Sequence, residues 1–459
     1  MIQIVNQYGV PFEAASSGDR LRQWAASSLG PNQSLTHSLQ TLRNRSRDAD
    51  RNNPWIHQGT GRLVSHEVGT GVTLRSRATD EAFRTAANAL WQVSISELDP
   101  EGVLNFGGLQ TQLVRARRVA GEVFVRRRLR RISAERAVPL QVQVLEAEFV
   151  PVHYHEDRSN GHHIRSGIEY NRRGQRVAYW MHREHPQDDT VDFGQLIRVP
   201  ARDVIHHYLP VRPGQRRGEP NAAQALVSAR TFDDYEDAEL IRKKTRAPFT
   251  GFITRDPLGP EDPGVDPLTG KPVEGGQLPP VTDVESGNIL QGSPGEKLEL
   301  FEGDRTGDGY AVYARSVLLK IAAGMGVPYE IMTGDWGAVN DRLVRAILND
   351  FYRTIEPIQE HLLIHQVCRG IWHWWIDAAI WSGQLQARGY GNDKTPFQAF
   401  QARPHGWRYV HPEQDINAKI KAMENGLTSR QQIIDEQPGP PMEEIDRQRA
   451  EDPLSTIPD

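Results

Sequence analysis

The sequence predicts an α+β protein with a mixed first half and a mainly helical second half. Residues 139–150 alternate apolar and polar side chains, which is the period of a half-buried strand. Residues 166–182 have the pattern of a β-hairpin whose turn is 171–174. Residues 222–246 contain no proline or glycine and carry apolar side chains at helical spacing. A chain of 459 residues is expected to form roughly two to four structural units.

The first half is expected to alternate helices with antiparallel strands. Leu35, Leu39 and Leu42 are spaced by four and three residues, which predicts a helix over 32–51 that Asn53-Pro54 ends. Residues 54–73 are predicted to be a mixed segment leading into a strand with a tight bend at 68–74. Further helices are expected at about 80–93 and 106–120, and strands within 122–131, 139–150, 166–182 and 196–212. The last of these is expected at a sheet edge because it contains two prolines.

The second half is predicted to be helical around one irregular insertion. The helix over 222–246 should bury one stripe of side chains, formed by Ala222, Ala225, Ala229, Phe232 and Tyr235. Residues 249–307 are rich in proline and glycine, and helices are expected again over 309–324 and 341–363. Pro357 predicts a kink, and Gly370 a possible break before the tryptophan-rich residues 371–381. Residues 429–459 form an acidic tail.

Composition and motifs exclude several classes of function. The net charge of −5 is unlike that of a polycation that coats nucleic acid, and the single Cys368 forbids an intrachain disulfide framework and fits a reducing compartment. The only Gly-Lys pair, at 270–271, is followed by proline, so a phosphate-binding P-loop is absent. No zincin or G-x-S-x-G motif occurs. No secretory signal and no membrane span are expected.

Histidines and carboxylates were weighed as metal ligands. His153, His155, His162 and His163 are expected on a surface loop rather than at a zinc ion, because the spacing is wrong for the familiar closed sites. The same interpretation covers the set His182, His185, Asp188 and Asp189. Neither a metal nor a cofactor is therefore predicted. The alternative left open is a metal-dependent nuclease or other DNA-processing enzyme using the acids near Asp233, although ligands on one helix seldom converge.

Several stretches of the chain resemble the lambda-family phage portal proteins. They are RSRDADRNNPW at 45–55, EVGTGV at 67–72, DPEGVLNFGGLQ at 99–110, AGEVFVRRRLR at 120–130, SGIEYNRRGQRVAYW at 166–180, VPARDVIHHYLPVRPGQRRGEP at 199–220, DDYEDAEL at 233–240, IAAGMGVPYEIMTGD at 321–335 and NGLTSRQQIIDEQ at 425–437. These matches span nearly the whole chain in the family's order. The segment WGAVNDRLVR at 336–345 departs from the family, which usually has a Tyr/Ser-rich stretch there.

The resemblance implies a portal fold assembled as a ring, with a wing, stem helices, a β-containing clip and a helical crown. It places an α+β wing at 1–221, the first stem helix at 222–248, the clip at 249–307, the second stem helix at 308–326 and a tunnel loop at 327–342. A kinked wing helix, the crown and the acidic tail would follow at 343–459. Such a ring, typically of twelve subunits, stands at one capsid vertex and passes double-stranded DNA during packaging and ejection.

The same resemblance suggests roles for individual residues. The tunnel-loop residues expected to meet DNA are Trp336, Asn340 and Arg342. Channel-lining acids are expected at Asp233, Asp234, Glu236, Asp237 and Glu239, against the alternative of a solvated helix face without DNA contact. The basic clip or motor end would be Arg242, Lys243, Lys244 and Arg246. A lining that repels phosphate suits a conduit, because each neutralised phosphate would add affinity.

A dense arginine block is expected at a subunit interface or on the wing surface rather than on DNA. It comprises Arg115, Arg117, Arg118, Arg126, Arg127, Arg128, Arg130, Arg131 and Arg136. Arg126, Arg128 and Arg130 are the interface candidates, because alternate residues of a strand share one face and arginine pairs well with carboxylates between subunits. The tryptophans Trp372, Trp374, Trp375 and Trp381 are expected to pack in a core rather than to stack on bases.

The implied partners and location complete the sequence-based prediction. The expected partners are identical subunits in a dodecamer, the DNA in the channel, the terminase large subunit, head-tail connector or adaptor proteins, and the major capsid and scaffold proteins, with no membrane. The expected location is the portal vertex of the virion, after assembly in the host cytoplasm.

Overall fold

The computed structural model describes residues 23–132, 136–188, 195–246, 252–255, 265, 268–271, 296–299, 307–407, 412–436 and 442–452. Its helices are α1 (Pro31–Asn52), α2 (Pro54–Val68), α3 (Glu81–Ser94), α4 (Phe106–Ala120), α5 (Leu226–Arg246), α6 (Gly307–Met325), α7 (Tyr329–Thr333), α8 (Asp341–Ile358), α9 (Arg369–Trp381), α10 (Thr395–Gln398), α11 (Pro412–Glu424), α12 (Arg430–Asp435) and α13 (Met442–Glu451). A π-helix, Gln359–Cys368, joins α8 to α9. Most of the predicted clip and the ends of the chain lie outside the described residues.

The strands form separate antiparallel sheets, which confirms the α+β class. They are β1 (Thr73–Ser76), β2 (Glu122–Leu129), β3 (Leu140–Leu145), β4 (Glu156–Asp157), β5 (His163–Arg165), β6 (Ile168–Tyr170), β7 (Arg176–Met181), β8 (Ile197–Pro200), β9 (Val204–Tyr208), β10 (Phe252–Arg255), β11 (Glu296–Glu299) and β12 (Phe400–Arg403). One sheet has the order β3-β2-β9, another runs from β4 to β8, and β1-β12 and β10-β11 are two-stranded. The hairpin turn at 171–174 is as predicted, with Gly174 at φ 75°.

Helix α2 corrects the expectation of a mixed segment at 54–73. Asn53 accepts a hydrogen bond from the Ile56 amide at 2.9 Å and so caps the helix, and Pro54 occupies its first position. Gly59 is a packing residue, because a Cβ there would lie 2.8 Å from the Met325 sulfur. The bend follows the helix at Gly69, and the strand begins only at Thr73.

The region predicted as one edge segment, 196–212, supplies edge strands to two sheets. β8 ends the five-stranded sheet and β9 ends the three-stranded sheet. The free edge of β9 is covered by the π-helix, because the Gln366 side chain accepts from the Tyr208 amide at 3.3 Å and donates to its carbonyl at 3.2 Å.

Helices α5 and α6 form an antiparallel pair. Ala225 lies against Gly324 at one end, and Tyr235 stacks on Tyr310 further along, with ring centroids 6.2 Å apart. The predicted stripe of α5 is buried as far as Phe232. The helix begins at Leu226, four residues later than predicted, because 221–225 form turns.

The helical stretch after 341 is continuous, so the predicted break at Gly370 is wrong. The helix changes from α to π geometry at Gln359, two residues after Pro357, and α9 runs through Gly370. Gly370 serves close packing instead, since a Cβ there would meet the Ile205 side chain at 2.6 Å. The expected loop at 327–342 contains the short helix α7.

Two large cores hold these elements together. One surrounds Trp91, Trp372 and Trp375, whose rings meet edge to face at 5.3 and 5.0 Å from Trp91. The other packs α2 against α5, α6 and α8 through Ile56, Phe232 and other apolar side chains. Burying each such large side chain stabilises the fold by roughly 1.5–3 kcal/mol. None of the helices in the described part of the chain combines the length and apolar character needed to cross a bilayer.

Candidate functional site

A fully buried carboxylate, Glu122, joins the two larger sheets. Its oxygens accept from Arg43, from Arg217 at 2.7 Å and from the Gly218 amide at 3.0 Å. Burial raises the pKa of Glu122, but the guanidinium groups of Arg217 and Arg43 outweigh it and hold that pKa well below its usual range. Arg217 also donates to the Ser166 carbonyl at 2.8 Å, so this cluster ties β2 to the five-stranded sheet.

His206 completes the Glu122 cluster as a neutral imidazole. Its Nε2 lies 2.8 Å from Glu122, and its Nδ1 lies 3.3 Å from Arg176. Because arginine only donates, Nδ1 accepts and Nε2 carries the proton that bonds to Glu122. Burial lowers the pKa of His206 to about 4.

A second buried carboxylate, Glu67 at the end of α2, connects α2 and α4 to the helical pair α5/α6. Arg117 and Arg118 of α4 donate to it at 2.6–2.9 Å. Arg118 also donates to the Asn221 side chain at 3.1 Å, and Asn221 donates to the Met325 carbonyl at 2.8 Å. This chain of bonds reaches from α2 to the point where α5 begins and α6 ends.

Glu67 also lies at the start of the π-helix. The Gln359 side chain donates to the Glu67 carbonyl at 2.9 Å and to the His66 carbonyl at 3.3 Å. The end of α2 therefore contacts the helical pair on one side and the long α8-π-α9 helix on the other. Arg117 and Arg118 correct the sequence-based expectation, since they are buried inside the subunit and lie neither at an interface nor on the surface.

The five acids of α5 do not share one face. Asp233 accepts from Asn53 at 2.8 Å, and Glu236 accepts from the Tyr310 hydroxyl at 2.7 Å. Glu239 lies 2.7 Å from Arg242 on the same helix. Asp234 and Asp237 are exposed, with Asp234 3.0 Å from Arg230 one turn earlier.

The basic end of α5 is placed next to the far end of α6. The Lys243 ammonium lies 5.4 Å from the centroid of the Tyr310 ring, which is a cation–π distance. Lys244 is exposed, and Arg246 is the last residue of α5. In the sequence, β10 follows this end of α5, and β11 precedes α6.

The short segment between α7 and α8 contains Trp336 and Asn340, and Arg342 follows it at the start of α8. Trp336 is 37% exposed, and Arg342 is exposed in the first turn of α8. Asn340 caps α8 by accepting from the Leu343 amide at 3.0 Å. Asp335 fixes the other end of the segment through the Tyr329 hydroxyl at 3.2 Å and Arg315 at 3.4 Å.

Arg126, Arg128 and Arg130 form a cationic row along β2 and its extension. Arg128 donates to Gln143 and Arg130 donates to Gln141, both at 2.8 Å. In the described part of the chain, none of the three forms an ion pair, whereas Arg127 on the opposite face lies 2.5 Å from Asp203. Burial lowers the pKa of Arg128, and the neighbouring arginines lower it further.

The four histidines weighed as zinc ligands do not converge. His162 lies 2.8 Å from Glu169, and His163 stacks on Tyr170. Among the described residues, the group with ligand atoms close enough for an ion is Glu146, Glu148 and His185. Arg47 already bonds both carboxylates at 2.7–2.9 Å, so a cation of the protein itself fills that position.

Sequence reasoning missed the buried clusters of Glu67 and Glu122. Their partners are distant in sequence, since Arg43 and Arg217 are separated from Glu122 by 79 and 95 residues. No local spacing of residues in the sequence predicts such a pairing. The available signal was the presence of charged residues inside otherwise apolar helix and strand patterns.

Comparisons with known proteins find similarity to phage portal proteins. The family model described as phage portal protein, lambda family, matches residues 17–359. A probable portal protein of Halomonas phage phiHAP-1 is 23% identical over 410 residues, covering 86% of this chain and 76% of that protein. Portal protein B of Escherichia phage lambda is 22% identical over 394 residues, covering 79% of this chain and 73% of that protein.

The fold is shared with a solved structure. A chain in the neck of an empty gene transfer agent particle, computed with C6 symmetry, has a TM-score of 0.51 and 15% identity, with 87% of this chain and 93% of that chain covered. The family model spans well over half of this sequence, including β2, the helical pair and α8. The chain therefore belongs to the lambda family of phage portal proteins.

Proposed function

We propose that this protein is a non-enzymatic ring subunit at a capsid vertex, through which double-stranded DNA is packaged and later ejected. The observation that carries the proposal is the antiparallel pair α5/α6, joined at one end to the body by the Glu67, Arg118 and Asn221 bonds. Its other end carries a basic group and leads into 249–307. A rigidly joined helical pair suits the wall of a channel.

The regions of the proposed portal subunit follow the order of the chain. Residues 1–221 are the wing, 222–248 and 308–326 the stem, 249–307 the clip, 327–342 the tunnel loop, and 343–459 the kinked wing helix, crown and tail. The pairing of β10 with β11 supports a clip that contains a β-hairpin-like ladder.

Of the five acids of α5, two are proposed to line the channel. Asp234 and Asp237 are exposed, whereas Asp233, Glu236 and Glu239 are partly buried and contact Asn53, Tyr310 and Arg242. Ring symmetry repeats each exposed carboxylate once per subunit. Repeated carboxylates disfavour tight phosphate binding and let the duplex slide.

The proposed assembly is a dodecamer that binds the terminase large subunit and later the head-tail connector proteins at its clip. Arg242, Lys243, Lys244 and Arg246 are the residues nearest to that end of the stem. The ring would also contact the major capsid and scaffold proteins, after assembly in the host cytoplasm, and remain in the virion.

Native mass and nuclease activity test this proposal against a metal-dependent nuclease. Twelve chains of 51.7 kDa give a ring of about 620 kDa with a central hole in electron micrographs. We expect no duplex cleavage with Mg²⁺ or Mn²⁺. A monomer or dimer that cleaves DNA only with a divalent metal would contradict the proposal.

The tunnel-loop assignment is tested by replacing Trp336 and Arg342 with alanine. Both side chains are exposed, so we expect intact rings and empty heads but a several-fold lower yield of DNA-filled heads. Asn340→Ser retains the cap of α8 and separates contact with DNA from helix stability. The matched control is Arg173→Ala, on the exposed hairpin turn, and an unchanged yield of filled heads in the loop variants would refute the assignment.

A further inference from the structure

An open cleft lies between residues 127–132 at the end of β2 and the end of α9. Its volume is about 870 Å³. The side chains that line it are largely arginine or large and apolar: Arg127, Leu129, Arg130, Arg131, Ile132, Pro139, Arg202, Trp374, Asp377, Ala378, Trp381, Ser382 and Lys394. The cleft is separate from the helical pair and from the segment at 334–342.

Its apolar side chains are unusually exposed. Trp381 is 75% exposed, Leu129 61% and Ile132 59%. The sequence suggests that Trp381 packs in the core with the other tryptophans, and this is wrong: Trp372, Trp374 and Trp375 are buried, but Trp381 lies at the last position of α9 and points away from that core. Three large apolar groups lining one cleft and rimmed by charge are typical of a protein-binding surface.

The charge of the cleft is positive and mostly uncompensated. Arg130, Arg131 and Arg202 are exposed and form no ion pair within the part of the chain that the structure describes. Asp377 is the one acid among the lining residues, and it already accepts from Lys394 at 3.0 Å and from the Tyr390 hydroxyl at 2.5 Å. A ligand that carries negative charge would therefore complement these described side chains.

We propose that this cleft binds an acidic segment of a second protein, with a bulky apolar side chain of that segment packed on Trp381. Nucleic acid would also supply negative charge and would find a stacking surface on Trp381, but the aliphatic Leu129 and Ile132 in the same cleft favour an apolar side chain over a base. Tryptophan and arginine together are the side chains that dominate binding energy at protein interfaces. This inference replaces the sequence-based expectation that Arg130 lies at the interface between identical subunits, and it does not depend on DNA transport.

A defined peptide tests the chemistry on the full-length protein. The probe is a fluorescent synthetic peptide of about 16 residues, roughly four helical turns, with Glu and Leu on opposite faces. Trp381→Ala and the pair Arg130→Glu with Arg131→Glu should each weaken its binding by about tenfold or more. A peptide with Lys in place of Glu, or with Ser in place of Leu, should bind the parent protein no more tightly than the acidic peptide binds these variants.

Matched surface changes serve as controls. Leu427→Ala removes a side chain that is 80% exposed elsewhere, and Arg173→Glu reverses a charge on the hairpin turn. Neither should alter binding of the acidic peptide. Equal binding of the peptide by Trp381→Ala and the parent protein, or displacement of the peptide by an equal charge concentration of duplex DNA, would overturn the proposal.

Crosslinking in assembling heads identifies the occupant. A photoreactive amino acid at position 381 should crosslink to an acidic stretch of another phage protein, located by mass spectrometry, and the crosslink should disappear when Arg130 and Arg131 are changed to Glu. A crosslink to DNA, to a second copy of this chain, or to nothing would overturn the proposal. Each of these results leaves the ring mass and the packaging test unaffected.

Discussion

The body of the subunit and the helical pair use the same charged residue types in opposite ways. In the body, Glu67 and Glu122 are fully buried, and each binds two arginines of the same chain. On α5, Asp234 and Asp237 are exposed, and Asp234 lies 3.0 Å from Arg230 of the same helix, which is also exposed. The difference shows that charge in this protein has two roles, to fix the internal geometry of the body and to set the potential at the surface of the helical pair. Removing a buried charge should therefore affect folding, and removing an exposed one should not.

Glu122→Gln is expected to have the largest effect. It leaves Arg43 and Arg217 buried without their carboxylate, so we expect the free energy of unfolding to fall by about 3–5 kcal/mol. Urea unfolding followed by circular dichroism measures the change. The matched control is Glu184→Gln on an exposed turn, expected within about 0.5 kcal/mol of the parent. A loss below about 1 kcal/mol in Glu122→Gln would contradict the role of this cluster.

Acidification should have the next largest effect. The pKa of His206 is lowered in the folded state from 6.5 to about 4, so the unfolded chain binds a proton first and stability falls as the pH drops between these values. The contribution is about 3 kcal/mol. The lowered pKa of Glu122 acts in the same direction, because its stabilisation is lost as the pH falls through the folded-state pKa.

His206→Gln separates this titration from the rest of the chain. Glutamine keeps a donor toward Glu122 but does not titrate, so the urea midpoint should depend less on pH between 7 and 4.5. His361→Gln, at an exposed position of the π-helix, should keep the pH dependence of the parent. An identical pH profile for His206→Gln and the parent would show that other groups cause the loss.

Asn53→Ala tests the contact between the body and the helical pair, with a smaller expected loss of stability. Asn53 caps α2 and donates to Asp233 on α5, so its loss should cost about 1–2 kcal/mol. Asn53→Asp keeps a capping oxygen but places a carboxylate next to Asp233. Asn53→Asp should therefore have a lower free energy of unfolding than Asn53→Ser at neutral pH. At a pH low enough to protonate carboxylates, the two variants should become similarly stable.

Asp234→Asn with Asp237→Asn should have the smallest effect on folding. Both side chains are exposed, so the unfolding free energy should stay within about 0.5 kcal/mol of the parent. Binding of duplex DNA to the assembled ring at low salt should instead increase, because the repulsive charge is gone. If Asp233→Asn raised DNA binding as much as this pair does, the division between partly buried and exposed acids on α5 would be wrong.

Local patterns predicted most elements, and tertiary contacts decided the rest. The stripe from Ala222 to Phe232 and the hairpin turn at 171–174 were readable because each depends on neighbours within a few residues. Helix α2 was not predicted within the mixed segment at 54–73, because the helix contains Gly59, whose place is explained by the nearby Met325 sulfur and not by its sequence neighbours. The break at Gly370 was wrong for the same kind of reason, the approach of Ile205.

The candidate site was predictable in outline only. The sequence placed an acidic stretch and a basic end on α5, but which acids remain exposed depends on Asn53 and Tyr310, which lie far away in sequence. The arginine block looked uniform in sequence. The structure divides it, with Arg117 and Arg118 inside the body and Arg130 and Arg131 on the surface.

The π-helix between α8 and α9 has a consequence for how the chain tolerates change in length. Phe351 and Ile355 before it pack into the core with α5 and α6, whereas Trp372 and Trp375 after it pack into the other core. The wider turn, in which the Arg369 amide bonds to the Ile364 carbonyl five residues earlier, sets the angular phase between these two apolar faces. Deleting or inserting one residue within 359–368 would rotate one face by about 100° relative to the other. The number of residues in this segment is therefore constrained more strictly than their identities.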